Sequence, residues 1–100
     1  MQYAISIPVR KMTMEQFRGQ TSETPVSQKN KILSFMRKAP VVAYTSFPVY
    51  DRITGDEVFP ANNAHSDGNF TWYESEIYHF EKYNLKLNDD FIEYVLNRPE

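Results

Sequence analysis

The stretch SDGNFTWYESEIYHFEKY, residues 66–83, constrains the fold most, because a turn signal is followed at once by helical periodicity. Asp67-Gly68 is typical of a tight turn, in which the aspartate side chain accepts a nearby backbone N–H. Thr71 and Glu74 have the spacing of a capping box. The stretch therefore predicts a turn, a short extended segment and a helix over residues 72–83.

One apolar stripe follows this predicted helix at intervals of three and four residues, which places its members on one face. We expect the stripe to pack against a sheet as core rather than to bind a cofactor. Trp72, at the junction of strand and helix, is likewise predicted to be packed rather than catalytic. Asn84 is a suitable helix end, because asparagine tolerates left-handed geometry. The stripe consists of Tyr73, Ile77, Phe80 and Tyr83.

Three more helices are indicated by their ends. Thr13 and Gln16 form a second capping-box pattern, which predicts a short helix that Gly19 stops. Ser27 can cap an amphipathic helix over residues 28–38, which ends before Pro40. Asn88 can cap a last helix, whose first turn holds Asp89 and Asp90 and whose apolar face is formed by Phe91, Ile92, Val95 and Leu96.

Short strands are predicted between these helices. Residues 2–9 alternate apolar side chains at Tyr3, Ile5 and Ile7, as a strand with one buried face would. Residues 41–47 are rich in β-branched and aromatic side chains and make the best candidate for a central strand. Gly55 allows a tight turn within a hairpin over residues 50–58. The predicted fold class is α+β, with a small antiparallel sheet of three to five short strands packed against two or three helices.

Length and composition restrict the class of protein. One hundred residues fit a single small domain, residues 1–100. The sequence has no cysteine, so neither a disulfide framework nor a thiolate metal site is available. No apolar run approaches the roughly 18 residues of a membrane span, and residues 1–9 lack the pattern of a signal peptide. We therefore expect a cytoplasmic protein.

The two parts of the chain carry opposite charge. Residues 1–40 contain seven basic and two acidic side chains, a net charge of +5, whereas residues 41–100 contain four basic and eleven acidic ones, a net charge of −7. Such a division indicates either two faces that pair within the fold or an exposed acidic surface that meets a basic partner.

Catalytic and metal-binding patterns find little support. The two histidines, His65 and His79, stand in no GxSxG-type or HExxH-type motif, and none of the three glycines is close to another as in a phosphate-binding loop. His65 and Asp67 with Asp51 or Asp56 could offer metal ligands, but the usual closely spaced histidine sets are absent. We therefore predict no enzyme, no metal and no cofactor.

Part of the chain resembles a family. The runs VYDRITGD, residues 49–56, and DGNFTWYESEIYHFEKYNLKLNDDFIEYVLN, residues 67–97, look like the C-terminal half of small, mostly uncharacterised bacterial proteins. His79 and Asn88 depart from the pattern, where Tyr and Pro would be expected, and residues 1–40 match no family pattern. The resemblance implies a shared fold and no established activity, and some such small proteins look like immunity proteins of bacterial toxin systems.

Two functions from different classes follow. The first is a non-enzymatic protein-binding domain, such as an immunity or inhibitor protein, whose acidic and aromatic surface occludes a basic toxin or nuclease. Its predicted contacts are Asp56, Glu57, Glu76, Asp89 and Asp90, with Trp72, Tyr78 and Tyr94 as aromatic candidates. The alternative is a small regulator whose basic helix binds nucleic acid or an acidic partner through Lys29, Lys31, Arg37 and Lys38.

Overall fold

The computed structural model describes residues 2–98 and confirms the α+β class. The helices of this part are α1 (Met14–Gly19), α2 (Lys29–Lys38), α3 (Glu74–Tyr83) and α4 (Asp89–Leu96), with a 3-10 helix at Val9–Lys11. The strands are β1 (Gln2–Tyr3), β2 (Val41–Ala43), β3 (Val49–Tyr50), β4 (Glu57–Phe59), β5 (Ala64–Ser66) and β6 (Phe70–Tyr73). The predicted domain of residues 1–100 also includes residues 1, 99 and 100, which lie outside the described part.

Four of the strands form a mixed sheet in the order β1-β6-β5-β2. β1 runs parallel to β6, whereas the β6–β5 and β5–β2 pairs are antiparallel. β3 and β4 form a separate hairpin. The helices α2 and α4 contact each other, and α3 follows β6 without an intervening loop.

The prediction of a central strand over residues 41–47 is wrong. β2 contains only Val41–Ala43 and lies at the edge of the sheet. Beyond Ala43 the chain leaves the sheet, and Thr45 makes hydrogen bonds with residues 62 and 63 instead. Its N–H donates to Asn63 Oδ1 and its hydroxyl oxygen accepts the Asn62 N–H, both at 3.1 Å. The apolar side chains that suggested a buried strand consequently face solvent.

The strand predicted over residues 2–9 is also shorter than expected. β1 contains only Gln2 and Tyr3, and the expected burial of alternate residues fails, because Tyr3 is 56% exposed and Ile7 38% exposed while Ile5 is buried. The Ala4 N–H donates to Thr71 O at 3.0 Å, and the chain then turns into the 3-10 helix after Pro8. Ala4, which the alternation placed on the outer face, is buried instead.

Helix boundaries differ from the predictions where side chains have other partners. The predicted helix over residues 72–83 begins at Glu74, because the Thr71 hydroxyl donates to His65 O instead of capping, and Glu76 Oε1 accepts the Tyr73 N–H at 3.2 Å. Gln28, at φ 57°, precedes α2 in the position expected for Ser27. Asn88 occupies the cap position of α4 without a capping hydrogen bond from its side chain.

Several local predictions are confirmed. Thr13 and Gln16 form the capping box at the start of α1. Gly55 has a φ of 80° in the β3–β4 turn, and Asn84 has a φ of 55° at the end of α3. Asp67 Oδ1 accepts the N–H groups of Asn69 and Phe70, as the turn signal predicted.

The core centres on Trp72, which is fully buried. Its indole N–H donates to Met36 O of α2 at 3.2 Å, so its one polar group is satisfied in the interior. Its ring lies 5.8 Å from the ring of Phe35 and 5.3 Å from the ring of Phe91, measured between centroids. Trp72 therefore joins the sheet to α2 and α4.

None of the helices within residues 2–98 has the length and apolar character that a membrane span requires.

We expect Trp72→Ala to lower the free energy of unfolding by about 3–5 kcal/mol, because it removes a large ring from the centre of the core. Urea denaturation measures the change. Tyr3→Ala is the matched control, since this aromatic side chain is mostly exposed, and we expect it to change stability by about 0.5 kcal/mol or less. A loss below about 1 kcal/mol for Trp72→Ala would contradict the central packing role.

Candidate interaction surface

The chain between residues 42 and 59 carries an unusual number of exposed apolar side chains. Tyr44 is 81% exposed and Phe47 is 69% exposed. We call this part of the chain the exposed apolar segment. Within residues 2–98, six of the nine exposed large apolar side chains belong to it: Val42, Tyr44, Phe47, Tyr50, Ile53 and Phe59.

Much of the exposed apolar segment also lacks charged side chains. Residues 39–50 contain no Asp, Glu, Lys or Arg, and the uncharged run is bounded by Lys38 and Asp51. Beyond it, the hairpin brings acidic side chains next to apolar ones. Tyr50 of β3 pairs directly with Glu57 of β4, and both are exposed. Directly paired residues share a face of the ladder, so this face combines an aromatic ring with a carboxylate.

Asp51 fixes the hairpin to the body of the protein. Its side chain is only 1% exposed and accepts the hydroxyl protons of two α3 residues, Tyr78 at 2.6 Å and Tyr83 at 2.7 Å. It also accepts the N–H groups of Ile53 and Thr54 within its own turn, at 2.8 and 2.9 Å. One carboxylate thus shapes the turn and binds it to α3.

Electrostatics reinforce this arrangement. Burial alone would raise the pKa of Asp51, but the hydrogen bonds from Tyr78, the Thr54 N–H and Tyr83 outweigh burial and lower the pKa below its ordinary value. The carboxylate is therefore ionised at neutral pH. Burial and the hydrogen bond to Asp51 raise the pKa of Tyr83 to about 12, so this hydroxyl remains a donor. Lys82 Nζ lies 3.4 Å from Asp51 Oδ2.

His79 makes a second connection between the hairpin and α3. The ring is fully buried, and its Nε2 accepts the Arg52 N–H at 3.1 Å. Since Nε2 is an acceptor, the proton is assigned to Nδ1, which donates to Ser75 O at 2.7 Å. Burial lowers the pKa of His79, which keeps the ring neutral. His79 is therefore a structural residue of the hairpin attachment.

Three of the predicted contact residues lie together at this surface. Asp56 and Glu57 are exposed in the hairpin. Tyr78 is partly exposed and packs edge to face against Phe59, with 6.0 Å between ring centroids. Its hydroxyl is held by Asp51, and the Lys82 ammonium lies 5.6 Å from the centroid of its ring.

Two of the predicted contacts are wrong, because the structure buries them. Trp72 is fully buried in β6, and Glu76 is only 1% exposed. The sequence pattern predicted Glu76 to be an exposed acid that contacts a partner. Its carboxylate instead accepts the Tyr73 N–H and the Ser75 hydroxyl, the latter at 2.6 Å, and turns inward at the first turn of α3. Neither side chain can touch a partner of the folded domain.

The remaining predicted contacts belong to α4. Asp89 and Asp90 are exposed in its first turn, where the positive end of the helix dipole favours them. Tyr94 is partly buried, donates its hydroxyl to Asp67 Oδ2 at 2.5 Å, and lies 4.9 Å from the ring of Phe70. Tyr94 therefore connects α4 to the Asp67 turn.

The basic helix of the alternative function uses most of its cations within the fold. Lys29 Nζ donates to Asn84 Oδ1 and to Glu81 O, and Lys31 Nζ donates to Leu96 O at 3.3 Å. The Arg37 guanidinium pairs with the Glu81 carboxylate at 2.6 Å, which joins the basic and acidic parts of the chain. Lys38 is exposed.

Three of the four residues weighed as metal ligands have other partners, and the fourth, Asp56, is exposed in the hairpin. His65 contacts Ala39 O through Nδ1 and Glu74 through Nε2, and the Asp51 and Asp67 carboxylates accept tyrosine hydroxyls. Within residues 2–98, no group of three or more His, Asp or Glu side chains is arranged to hold a metal ion.

Comparison of this chain with protein-family models, with curated proteins and with solved structures finds no match.

We expect the buried Glu76 to make stability fall as pH rises. Burial raises its pKa from 4.5 to about 7 despite the hydrogen bonds from Ser75 and Tyr73. A carboxyl with a raised folded-state pKa binds its proton more tightly when folded, so stability is lost as pH rises from 4.5 to about 7. Urea midpoints across this range should show the fall. It should vanish in Glu76→Gln and persist in the exposed control Glu93→Gln; a persisting fall in Glu76→Gln would contradict the assignment.

Asp51 should act in the opposite direction and at lower pH. Its folded-state pKa is lowered, so its contribution is present above the ordinary value of 3.8 and lost as pH falls further. At neutral pH we expect Asp51→Asn to lower the free energy of unfolding by about 2 kcal/mol, because a buried, charged acceptor of two tyrosine hydroxyls is removed. Asp56→Asn, in the same hairpin but exposed, is the control. Equal denaturation midpoints for the two variants would show that Asp51 does not fix the hairpin.

Proposed function

We propose that this chain is a non-enzymatic protein-binding domain, of the immunity or inhibitor type, whose exposed apolar segment receives a protein partner. The exposure of Tyr44 and Phe47 is the observation that carries the proposal. Concentrations of exposed apolar side chains mark interaction sites, and aromatic side chains are enriched where partners bind. Scattered single apolar residues need no such explanation, but here they are concentrated between residues 42 and 59.

The neighbouring charges favour a basic partner. Asp56 and Glu57 are exposed beside the aromatic residues of the hairpin. Protein interfaces usually have an apolar centre surrounded by polar and charged side chains. Charges at such a rim act mainly on the association rate and on partner choice. We therefore assign the apolar side chains to affinity and the two acids to recognition.

Rigid attachment supports the same proposal. The hairpin is held to α3 by Asp51 and His79, both buried. The hairpin part of the segment, with Tyr50, Ile53 and Phe59, is thus fixed in the free protein and loses little conformational freedom on binding, which improves affinity. Binding of nucleic acid by α2 is the weaker proposal, because three of its four predicted contacts, Lys29, Lys31 and Arg37, already bind other groups of the protein.

We expect Tyr44→Ser combined with Phe47→Ser to abolish partner capture while leaving stability nearly unchanged, because both side chains are exposed. Tagged wild-type and variant proteins would be used to recover partners from the native cell, with each partner then purified and its affinity measured. Tyr3→Ser combined with Ile7→Ser is the matched control, since it removes exposed apolar side chains outside the segment.

Charge reversal then tests the nature of the partner. Asp56→Lys combined with Glu57→Lys should slow association with the purified partner and remove its salt dependence. Equal capture by the segment variant and the control would contradict the proposal. Recovery of nucleic acid that is lost at high salt, and lost in Lys38→Glu, would move the function to α2.

A further inference from the structure

A cavity of about 500 Å³ lies away from the hairpin, between the N-terminal segment, α1 and the connection from α3 to α4. Ligand sites in proteins commonly have volumes of about 300–1,000 Å³, so this cavity is large enough for a small molecule. Its walls are formed by Ile5, Ser6, Ile7, Met12, Gln16, Gly19, Gln20, Lys86, Asn88 and Asp89.

Hydrogen bonds hold the walls in place. The Lys86 N–H donates to Gln20 O at 2.6 Å, which joins the α3–α4 connection to the end of α1. On the other side the Asn88 N–H donates to Ala4 O at 2.8 Å, and the Ser6 hydroxyl donates to Asn88 Oδ1 at 2.5 Å. Backbone contacts between distant segments thus form the cavity in the free protein.

The lining combines apolar side chains with two opposite charges. Ile7 is 38% exposed and offers apolar surface to a ligand, whereas Ile5 and Met12 are almost fully buried, at 3% and 4% exposure. Lys86 and Asp89 supply an ammonium and a carboxylate, and within residues 2–98 neither side chain makes an ion pair or a hydrogen bond with the protein. The cavity therefore has one cation and one anion available to a ligand.

We propose that this cavity binds a small zwitterion with an apolar tail, namely an α-amino acid with an aliphatic, thioether or aromatic side chain. The ligand carboxylate pairs with Lys86, the ligand ammonium pairs with Asp89, and the apolar tail covers the exposed side chain of Ile7. A ligand of this kind matches both charges and the apolar lining at once. A purely anionic or purely cationic molecule would meet one of the two charges unfavourably.

Gly19 provides a way to fill the cavity without straining the fold. It lines the cavity, a Cβ atom built there meets nothing within 4 Å, and its φ lies outside the positive region. Gly19→Leu places a branched side chain at the cavity wall. Gly19→Ala is the matched control, because it makes the same backbone change and adds only a methyl group.

The test is titration of the isotope-labelled protein with L-leucine, L-methionine and L-phenylalanine, followed by backbone amide NMR. We expect saturable shifts at the cavity residues for at least one of them. Leucine amide lacks the carboxylate, N-acetyl-leucine lacks the ammonium and glycine lacks the tail, so each analogue should bind about tenfold or more weakly than the best amino acid.

Variants complete the test. Lys86→Gln and Asp89→Asn should each weaken binding about tenfold or more, Gly19→Leu should abolish it, and Gly19→Ala should retain it. Circular dichroism would verify that all four variants keep the wild-type fold. The absence of saturable shifts at millimolar amino acid would overturn the proposal. Equal binding of leucine and its amide, or unchanged binding in Lys86→Gln, Asp89→Asn or Gly19→Leu, would also overturn it.

Discussion

A buried carboxylate that accepts hydrogen bonds from four donors attaches the β3–β4 hairpin to the rest of this protein. Asp51 stands at the base of the β3–β4 hairpin, a two-stranded unit outside the main sheet. Isolated two-stranded hairpins are marginally stable in water. The hydroxyls of Tyr78 and Tyr83 supply the tertiary contacts that such a unit lacks, and the N–H groups of Ile53 and Thr54 complete the turn. Together with the His79 contact to the Arg52 N–H, this carboxylate sets the position of the hairpin on α3.

Local sequence signals predicted much of the fold, because they act over three or four residues. The Thr13–Gln16 capping box, the Asp67 turn and the left-handed Asn84 depend on contacts within their own segment. The predicted helix at residues 72–83 was placed two residues early, since Thr71 has a partner on the neighbouring strand. Boundaries fail where a distant residue competes for a capping group.

The candidate surface was harder to predict, because burial is decided by tertiary structure. Residues 41–47 have the composition of an interior strand, but only residues 41–43 join the sheet, at its edge, and Thr45 instead makes hydrogen bonds with Asn62 and Asn63. Glu76 looks like an ordinary helix charge until the Ser75 hydroxyl and the Tyr73 N–H bind it. One sequence signal could have indicated this surface: residues 39–50 contain no charged side chain, although a loop exposed only to solvent commonly contains some.

That uncharged run has a consequence for the protein when it is alone. An apolar edge strand without charged side chains is a template for association with other chains, and natural proteins usually place lysine or proline there as protection. Here Lys38 and Pro40 precede β2, and Pro48 and Asp51 follow it. We expect the free protein to associate with itself at high concentration, and a partner that covers this strand to prevent that association.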